Sequence, residues 1–537
     1  MRFKHVKRLY LQARLHQFPV AMVMTLSVMQ AALAQPTAPS EPQFAISKFE
    51  VSGNTLLAPN TVDARLTSFV GDERRFADIE AARRALEAMY LQAGYSTVQV
   101  TLPEQEISSG VIRLLVREMK LGSITLMSAN HHDLDNVKAS VPGLVEGQVP
   151  NTVAVAESLR LANDNPSKQT QLLFKPDPVN NRVDAVLRLE DEKPWKGFVS
   201  LDNTGTSDTG KTHLNVGYQH ANLFNRDHVL TLQYITSVEK PQNMHIYGFG
   251  YRLPLYDRAD AIDVYAGYSD VNSGTVAGLF NVSGKGKVLG ARYAHQFVKT
   301  NEFEHKLSVG MDYRAYENNI DQNGTALGTD VTVHPFNLSW NSLWKKDNTQ
   351  LNGYASWLHN LPGGSKGSDA DFAATRSGAQ ASYQLLRLGG NASKQFAGDW
   401  QWRLALDAQY TQEPLVPGEQ FGLGGQDSVR GFDERSVSGD RGWRTGLEIF
   451  SPDIGGTTGI AGARLRFSAF VEGGQVQRLQ ALPGETGSEG IASVGLGMRF
   501  GIDKSLSFRL DFGHVINGDA SQNKGSDKLH GSMAYVF

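Results

Sequence analysis

Cysteine is absent from all 537 residues, which excludes disulfides, thiolate zinc sites, iron–sulfur clusters and cysteine nucleophiles together. A surplus of positive charge is missing too: 52 basic residues stand against 55 acidic ones, a poor balance for gripping nucleic acid. Beyond the N-terminal segment no run approaches the ~18 apolar residues of a helical membrane span. No G-x-x-x-x-G-K-[ST] loop is present to cradle nucleotide phosphates. Glycine is in excess, at 54 residues or about a tenth of the chain against a usual ~7%. Scattered without a collagen period, it points to many turns.

The first 34 residues carry Arg2, Lys4, Lys7, Arg8 and Arg14 without one acid, then an apolar run from Val20 to Met29, then Ala32, Leu33 and Ala34. This is the three-part layout of a secretory signal cleaved before Gln35. A membrane anchor fits less well, because the apolar stretch is too short to span ~30 Å. Losing those five cations leaves 47 basic against 55 acidic residues, a net charge of −8. A Pro-rich link at residues 35–43 follows, expected to be extended.

From Phe44 the pattern is mixed. A strand over Phe44–Ser52, a helix near Pro59–Phe69, a helix over Phe76–Ala93 stopped by Gly94, and strands Val98–Leu102 and Val111–Val116 form one β-α-α-β-β unit. The same order returns as strand Ser123–Met127, helices Leu134–Val141 and Thr152–Asn163, and strands Thr170–Lys175 and Val183–Glu190. The chain thus carries two copies of a small α+β module, residues 44–119 and 120–194.

After Trp195 helical spacing stops and period-two alternation runs to the end. Trp400, Trp402, Leu404, Leu406, Ala408 and Tyr410 alternate with Gln401, Arg403, Ala405, Asp407 and Gln409. A soluble sandwich would alternate as well. These runs, however, reach about ten residues, as tilted membrane strands do, and their apolar faces carry girdle-like aromatics such as Tyr247, Tyr251, Trp340, Trp357 and Trp400. About sixteen runs are found, starting near Gly197, Lys211, His228, Asn243, Ala261, Lys285, Glu304, Thr332, Thr349, Arg376, Asp399, Asp440, Gly462, Gly490, Lys504 and Lys528. The fold class expected is therefore a transmembrane β-barrel of about sixteen antiparallel strands over residues 195–537, preceded by the two modules. Because lipid cannot satisfy an open edge, the last strand must pair with the first.

A signal, two such modules and a sixteen-strand barrel together resemble the two-partner secretion transporters, a branch of the superfamily that joins periplasmic POTRA domains to an outer-membrane barrel. The sharpest local match is Val429-Arg430-Gly431-Phe432 within the Gly-rich Phe421-Gly-Leu-Gly-Gly-Gln-Asp-Ser-Val-Arg-Gly-Phe432, which the resemblance puts in a long sixth extracellular loop, about residues 412–440. Further matches are Leu201-Asp-Asn-Thr-Gly205, Asn163-Asp-Asn-Pro166 and Ser493-Val-Gly-Leu-Gly-Met-Arg-Phe500. The family's Phe-x-Asp partner of the loop arginine corresponds to Phe470-Val471-Glu472, with Glu in place of Asp. Arg466, Ser468, Phe470 and Glu472 share a parity that faces the lumen. The resemblance implies that loop six folds into the barrel and that Arg430 pairs with Glu472. In a wet lumen that pair is expected to contribute nearer ~1 kcal/mol than the ~3–5 of a broken buried pair, and the longer Glu is expected to shift or loosen the tip.

The resemblance implies further that the modules hang in the periplasm and capture the N-terminal secretion domain of a large, unfolded exoprotein by β-augmentation. The candidate groove is helix Thr152–Asn163 with the strand Thr170, Gln171, Leu172, Leu173, Phe174 and Lys175. Tyr535 and the terminal Phe537 fit the sorting signal of outer-membrane barrels, implying delivery to the barrel assembly machinery and residence in outer-membrane lipid as a monomer. With only residues 35–43 ahead of the first module, no plug helix is expected, and the folded sixth loop would be the main obstruction. Relatives carry hemolysins, adhesins, contact-dependent toxins and heme-scavenging proteins, and the residues do not choose among these or say whether cargo is activated in passage. A barrel insertase of the same superfamily or a passive porin is the alternative; insertases carry more modules, and a porin has no use for them. No cofactor, metal or catalytic residue is expected. Gly363-Gly-Ser365-Lys-Gly367 fits G-x-S-x-G literally but lacks the strand–turn–helix setting of a nucleophile elbow. His131-His132-Asp133 lacks ligand spacing and reads as an exposed turn.

Overall fold

The computed structural model describes residues 42–537 except 108, 208, 271–274, 277–279, 282–285, 318–320, 323–324, 327–328 and 520–521. The expected signal, most of the Pro-rich link and the site of any plug helix lie outside the described residues.

The first module holds β1 (Phe44–Ile46), β2 (Lys48–Ser52), α1 (Pro59–Leu66), β3 (Gly71–Arg74), α2 (Phe76–Gln92), β4 (Gln99–Thr101) and β5 (Val111–Arg117). The single strand expected over Phe44–Ser52 is two: β1 breaks away at Ser47 to pair with β3, while β2 runs parallel to β5 and β4 antiparallel to it. Ile79, Ala82, Leu86 and Tyr90 of α2 bury against Phe49, Ile112 and Leu114 of this sheet, so an apolar stripe and an alternating strand meet as their periodicities require.

The second module repeats the arrangement with β6 (Lys120–Met127), α3 (Leu134–Ala139), α4 (Thr152–Ala162), β7 (Lys168–Asp177) and β8 (Arg182–Asp191). Here β6 is parallel and β7 antiparallel to the central β8, leaving β7 on an edge. The modules abut without a linker. Asn151 caps α4 through Ala154 N–H (3.1 Å) and donates to Ala93 C=O at the end of α2 (3.0 Å), while Thr152 N–H donates to Gly94 C=O (2.7 Å). Gly94 has φ +92°, and a Cβ there would meet the Asn151 side chain, so this helix stop needs glycine on both counts.

Among the described residues no helix is long and apolar enough to cross a membrane, and crossing falls to strands. Sixteen antiparallel strands close on themselves, the last (Asp527–Val536) pairing with the first (Trp195–Asp202). Val331–Val333 and Pro335–Lys346 count as one strand, the eighth, interrupted at His334, since both pair with Phe303–Tyr316. Leu404, Leu406, Phe467, Val471, Leu496, Met533 and Tyr535 point outward, as their parity requires, and Asp407, Glu472 and Asp511 point inward.

One expected strand is displaced. The tenth begins at Gln384, not near Arg376; before it stands helix α5 (Asp369–Thr375). Ala379, Ala381 and Tyr383 do alternate, but their apolar side packs into the outer mouth with Phe372, Leu415 and Val416. Alternation there reports a buried extended segment tied to Asn360, whose N–H donates to Tyr383 C=O (3.0 Å) and whose side-chain amide donates to Ala381 C=O (2.6 Å).

Opposite faces of a barrel strand should respond oppositely to charge. Leu406→Arg, on the lipid face in mid-strand, is expected to cost ~2–4 kcal/mol, whereas Asn391→Arg, facing the lumen, should change stability by less than ~0.5 kcal/mol. Urea unfolding of the bilayer-inserted protein, followed by tryptophan fluorescence, measures both.

Candidate functional site

The eleventh strand (Gln401–Tyr410) and the twelfth (Arg441–Phe450) are joined by residues 411–440, which turn back into the barrel. A short hairpin, Phe421–Leu423 with Val437–Gly439, forms the stem. Leu423, Val429, Phe432 and Val437 bury against Val476, Ile491 and Val515 of the wall. Glycine-rich sequence permits this: Gly424, Gly425 and Gly431 take positive φ (+102°, +110° and +98°).

At the tip, Arg430 is 1% exposed. Its Nε donates to Glu472 Oε1 (3.0 Å) and its backbone N–H to Glu472 Oε2 (2.9 Å), so one carboxylate receives both main chain and side chain. The guanidinium also donates to Glu448 Oε1 (3.1 Å) and Asp511 Oδ1 (2.9 Å), and it lies 3.4 Å above the centre of the Phe470 ring. Three carboxylates from the twelfth, thirteenth (Ala463–Gln477) and fifteenth (Leu506–Asn517) strands thus surround one planar cation, with a π face beneath it. Arg499 bridges Glu448 and Asp511 (3.1 and 2.8 Å), and Arg509 joins Asp511 to Asp427 of the loop (2.6 Å each).

Burial replaces the expected screened lumen pair. With the Arg430 side chain 2% and the Glu472 side chain 11% exposed, the energetics are those of a desolvated network. The longer Glu472 carboxylate reaches the Arg430 amide and guanidinium together.

One match from the sequence acquires a steric reason. In Ser493-Val-Gly-Leu-Gly-Met-Arg-Phe500 the inward positions are Ser493, Gly495, Gly497 and Arg499. A Cβ on Gly495 would strike the Phe470 ring at 2.2 Å, and one on Gly497 would strike Ser468 Oγ at 2.4 Å. These glycines are the floor on which the arginine and its aromatic support rest. Gly513 on the fifteenth strand does the same for the tip: its Cβ would meet Gly431 N at 2.6 Å.

Sequence reasoning paired Arg430 with Glu472 and Phe470 but missed Glu448, Asp511 and Gly513. Their signal was present, since each occupies a lumen-facing parity, Glu448 and Asp511 between apolar neighbours, but parity does not say which height of the wall the tip reaches.

The loop also touches the closing strand. Gly431 N–H donates to His530 Nε2 (3.0 Å), Gln426 donates to Ser532 Oγ (3.1 Å), and Asp433 pairs with Lys528. Lys528, His530 and Ser532 are alternate lumen-facing residues of the sixteenth strand. Its ladder with the first strand covers only Ser532–Val536 against Asp202–Phe198. Above that, Asn203 extends the seam through its side chain, donating to Leu529 C=O and accepting from Gly531 N–H (2.8 Å each). At the other end Phe537 exchanges backbone bonds with Gly197 (2.9 and 3.0 Å), its ring outward beside Tyr535.

The loop base is anchored separately. Buried Glu419 accepts from Arg314 (2.8 Å) and Tyr316 (2.7 Å), and buried Asp440 pairs with Arg376 (2.8 Å). Since Arg376 leads out of α5, the connection between the ninth and tenth strands shares the outer mouth with loop six.

Thr170, Gln171, Leu172, Leu173, Phe174 and Lys175 lie on edge strand β7. Leu172 and Phe174 turn inward beneath α4, and Leu173 is 59% exposed. Ser365 sits in a turn closed by Gly363 N–H on Gly367 C=O (3.0 Å). A helix does follow, but the residue capping it is Ser368, whose hydroxyl accepts from Asp371 N–H. His132 is a correction: rather than exposed, its side chain is fully buried, with Nδ1 3.1 Å from Asp191. Burial lowers the pKa of this imidazole.

The description "Haemolysin secretion/activation protein ShlB/FhaC/HecB" belongs to a family model that matches residues 183–500, and a POTRA domain model of ShlB type matches residues 44–118. Outer membrane transporter CdiB of Dickeya dadantii is 24% identical over 84% of this chain and 79% of its own length. Hemolysin transporter protein ShlB of Serratia marcescens is 26% identical over 77% of this chain and 74% of its own. The solved structure of CdiB from Escherichia coli superposes with a TM-score of 0.74 at 20% identity, covering 94% of this chain and 93% of the other.

Arg430→Ala should leave three carboxylates around a lost cation and cost loop docking ~3–5 kcal/mol, read as faster protease cleavage of loop six in a barrel that still migrates by heat-modifiable shift. The exchange Arg430→Glu with Glu472→Arg should not restore docking, because the new glutamate would face Glu448 and Asp511. Gly513→Ala, which changes no charge, should increase cleavage in the same direction by pushing the tip off the wall.

Proposed function

The chain belongs to the haemolysin secretion/activation family ShlB/FhaC/HecB, and from that premise we propose how this outer-membrane transporter handles its exported partner. Members of the family secrete exoproteins through the outer membrane, and this chain is a two-partner secretion transporter of that membrane with its POTRA region on the periplasmic side.

In the proposed sequence, the unfolded N-terminal secretion domain of a large exoprotein adds as a strand to the open edge of β7, beside α4, and is passed into the barrel. The observation that carries this is the open edge of β7 from Leu172 onward, Thr170 N–H and C=O being already bonded to the Asn163 side chain. β7 pairs only with β8 among the described residues, and an unpaired edge offers backbone donors and acceptors to any extended chain without requiring one sequence. Exposed Leu173 adds apolar contact at that edge. Translocation then needs loop six to yield or shift, and the Arg430 network with Glu472, Glu448 and Asp511 holds the closed position. No nucleotide loop is present, so outward movement draws on folding of the passenger at the cell surface. Tyr535 and Phe537 act as the sorting signal read by the barrel assembly machinery, and the protein works as a monomer in outer-membrane lipid. The chain performs no catalysis in this account: Ser365 has no elbow geometry, and the carboxylates around Arg430 are held by arginines.

Deleting the gene should remove one large protein from the culture medium while outer-membrane porins remain at wild-type levels. A fall in porins would instead favour an insertase. A photo-crosslinking residue at Gln171 or Lys175 of β7 should trap that exported protein, and one at Thr125 on the opposite edge strand β6 should not; equal trapping at both edges would refute the groove assignment. Leu173→Asp, which keeps the β7–β8 ladder and removes the exposed apolar contact at the edge, should reduce secretion about tenfold.

A further inference from the structure

The second module meets the barrel through a polar joint more deeply buried than a surface contact requires. Lys168, the first residue of β7, is 2% exposed, and so is Asp227 in the turn between the second (His213–Leu223) and third (His228–Ser237) barrel strands. The Lys168 ammonium donates to Asp227 Oδ2 (2.6 Å) and Asn136 Oδ1 (2.8 Å). Asp227 also accepts from Tyr256 OH (2.7 Å) and Asn136 Nδ2 (2.9 Å). The turn is shaped for this, with Phe224, Asn225 and Asp227 all at positive φ (59°, 57° and 61°).

The segment Asn163-Asp-Asn-Pro166 lies between this joint and the groove, and each polar residue in it has a distinct partner. Asn163 clamps the start of β7 by accepting from Thr170 N–H (2.7 Å) and donating to Thr170 C=O (3.0 Å). Asp164 reaches Arg252 (3.3 Å) and Gln296 (2.7 Å), near the periplasmic ends of the fourth and sixth strands. Asn165 donates to Ala221 C=O on the second strand (2.7 Å). Helix α4 is held in parallel: Ser158 Oγ donates to Tyr256 C=O (2.9 Å) and Arg160 to Phe297 C=O (2.6 Å). Both walls of the groove are therefore fastened to three successive periplasmic turns of the barrel.

We propose that Asn163, Asp164, Asn165 and Lys168, with Asp227 and Tyr256 of the barrel, are positioning residues that fix the edge of β7 at one distance and angle from the barrel mouth. A segment captured on β7 is then presented to the pore at high effective concentration. This inference rests on the reading that β7 receives the exported chain. A buried ion pair is a weak source of stability relative to apolar packing, because desolvation offsets its attraction, but its hydrogen bonds are satisfied in one arrangement only. A joint built from directional bonds suits registration better than adhesion. A groove on a loose tether would sample many placements and lower the effective concentration of bound chain at the entrance.

The absence of native cysteine makes the test direct. Spin labels at Gln171→Cys on β7 and Asn348→Cys in the turn between the eighth and ninth strands report the spacing by pulsed electron resonance on the full chain in nanodiscs. The unaltered joint should give one narrow distance distribution. Lys168→Met with Asp227→Asn, which removes both charges at similar volume, should at least double its width and lower release of the exported protein about tenfold, with the barrel's heat-modifiable shift retained. Lys168→Arg alone, which keeps a cation against Asp227, should retain the narrow distribution. Asn165→Ala, a milder change if the double variant folds poorly, should widen it in the same direction. Lys504→Met, which removes only an exposed strap to Glu192, should leave it unchanged. An unchanged width in both joint variants overturns the proposal, as does a widened distribution with full secretion. Failure of β7 to trap cargo in the unaltered protein would instead strike the groove reading, whatever the distances show.

Discussion

The constraint on which the rest of the molecule depends is that a backbone amide facing hydrocarbon has no water to bond. Every strand edge in the membrane must find another strand, so the sheet closes. That requirement accounts for a C-terminal strand that returns to the first and, since an all-antiparallel ring closes only on an even count, for the even number of strands; side-chain contact with hydrocarbon adds the outward apolar parity. It also exposes the weakest place in the wall. Direct ladder contact between Asp527–Val536 and Trp195–Asp202 covers five residue pairs, and above them the Asn203 side chain and loop six take over from the missing strand.

Closure produces the second feature, a lumen in which charges are buried among one another instead of in water. Arg430, Arg499 and Arg509 interleave with Glu448, Glu472 and Asp511. Each carboxylate would be costly alone, and each is satisfied only in the company of the rest. Because His530, Ser532 and Lys528 of the closing strand hold the same loop, the tip network and the seam are mechanically one unit. A displacement of loop six therefore changes what supports the outer half of the last strand. At the opposite end, the polar joint around Lys168 and Asp227 makes the second module an extension of the barrel rather than a body on a tether.

The periodicities were local and therefore legible. Two β-α-α-β-β units, sixteen alternating runs and the closing parity followed from residues near one another in sequence, as did the lumen-facing side of Phe470 and Glu472. Local pattern misled where a segment was extended but not in the ladder: Ala379, Ala381 and Tyr383 alternate against a plug of side chains, and the strand begins only at Gln384. His132 misled for the related reason that a polar turn looks exposed until another part of the chain covers it.

The amino-acid sequence by itself determined the class of fold, the order of its parts and which face of each strand meets lipid, because side-chain period and hydrogen-bond demand act over a few residues. Only the tertiary structure decided that Arg430 is enclosed by three carboxylates instead of one, that Gly495 and Gly497 make room for Phe470 and Ser468 and Gly513 for the loop tip, and that Asn163-Asp-Asn-Pro166 fastens β7 to the barrel. Those contacts with the barrel join residues from 18 to 132 positions apart. Their geometry is set by strand tilt and closure, which bring distant inward positions to a common height.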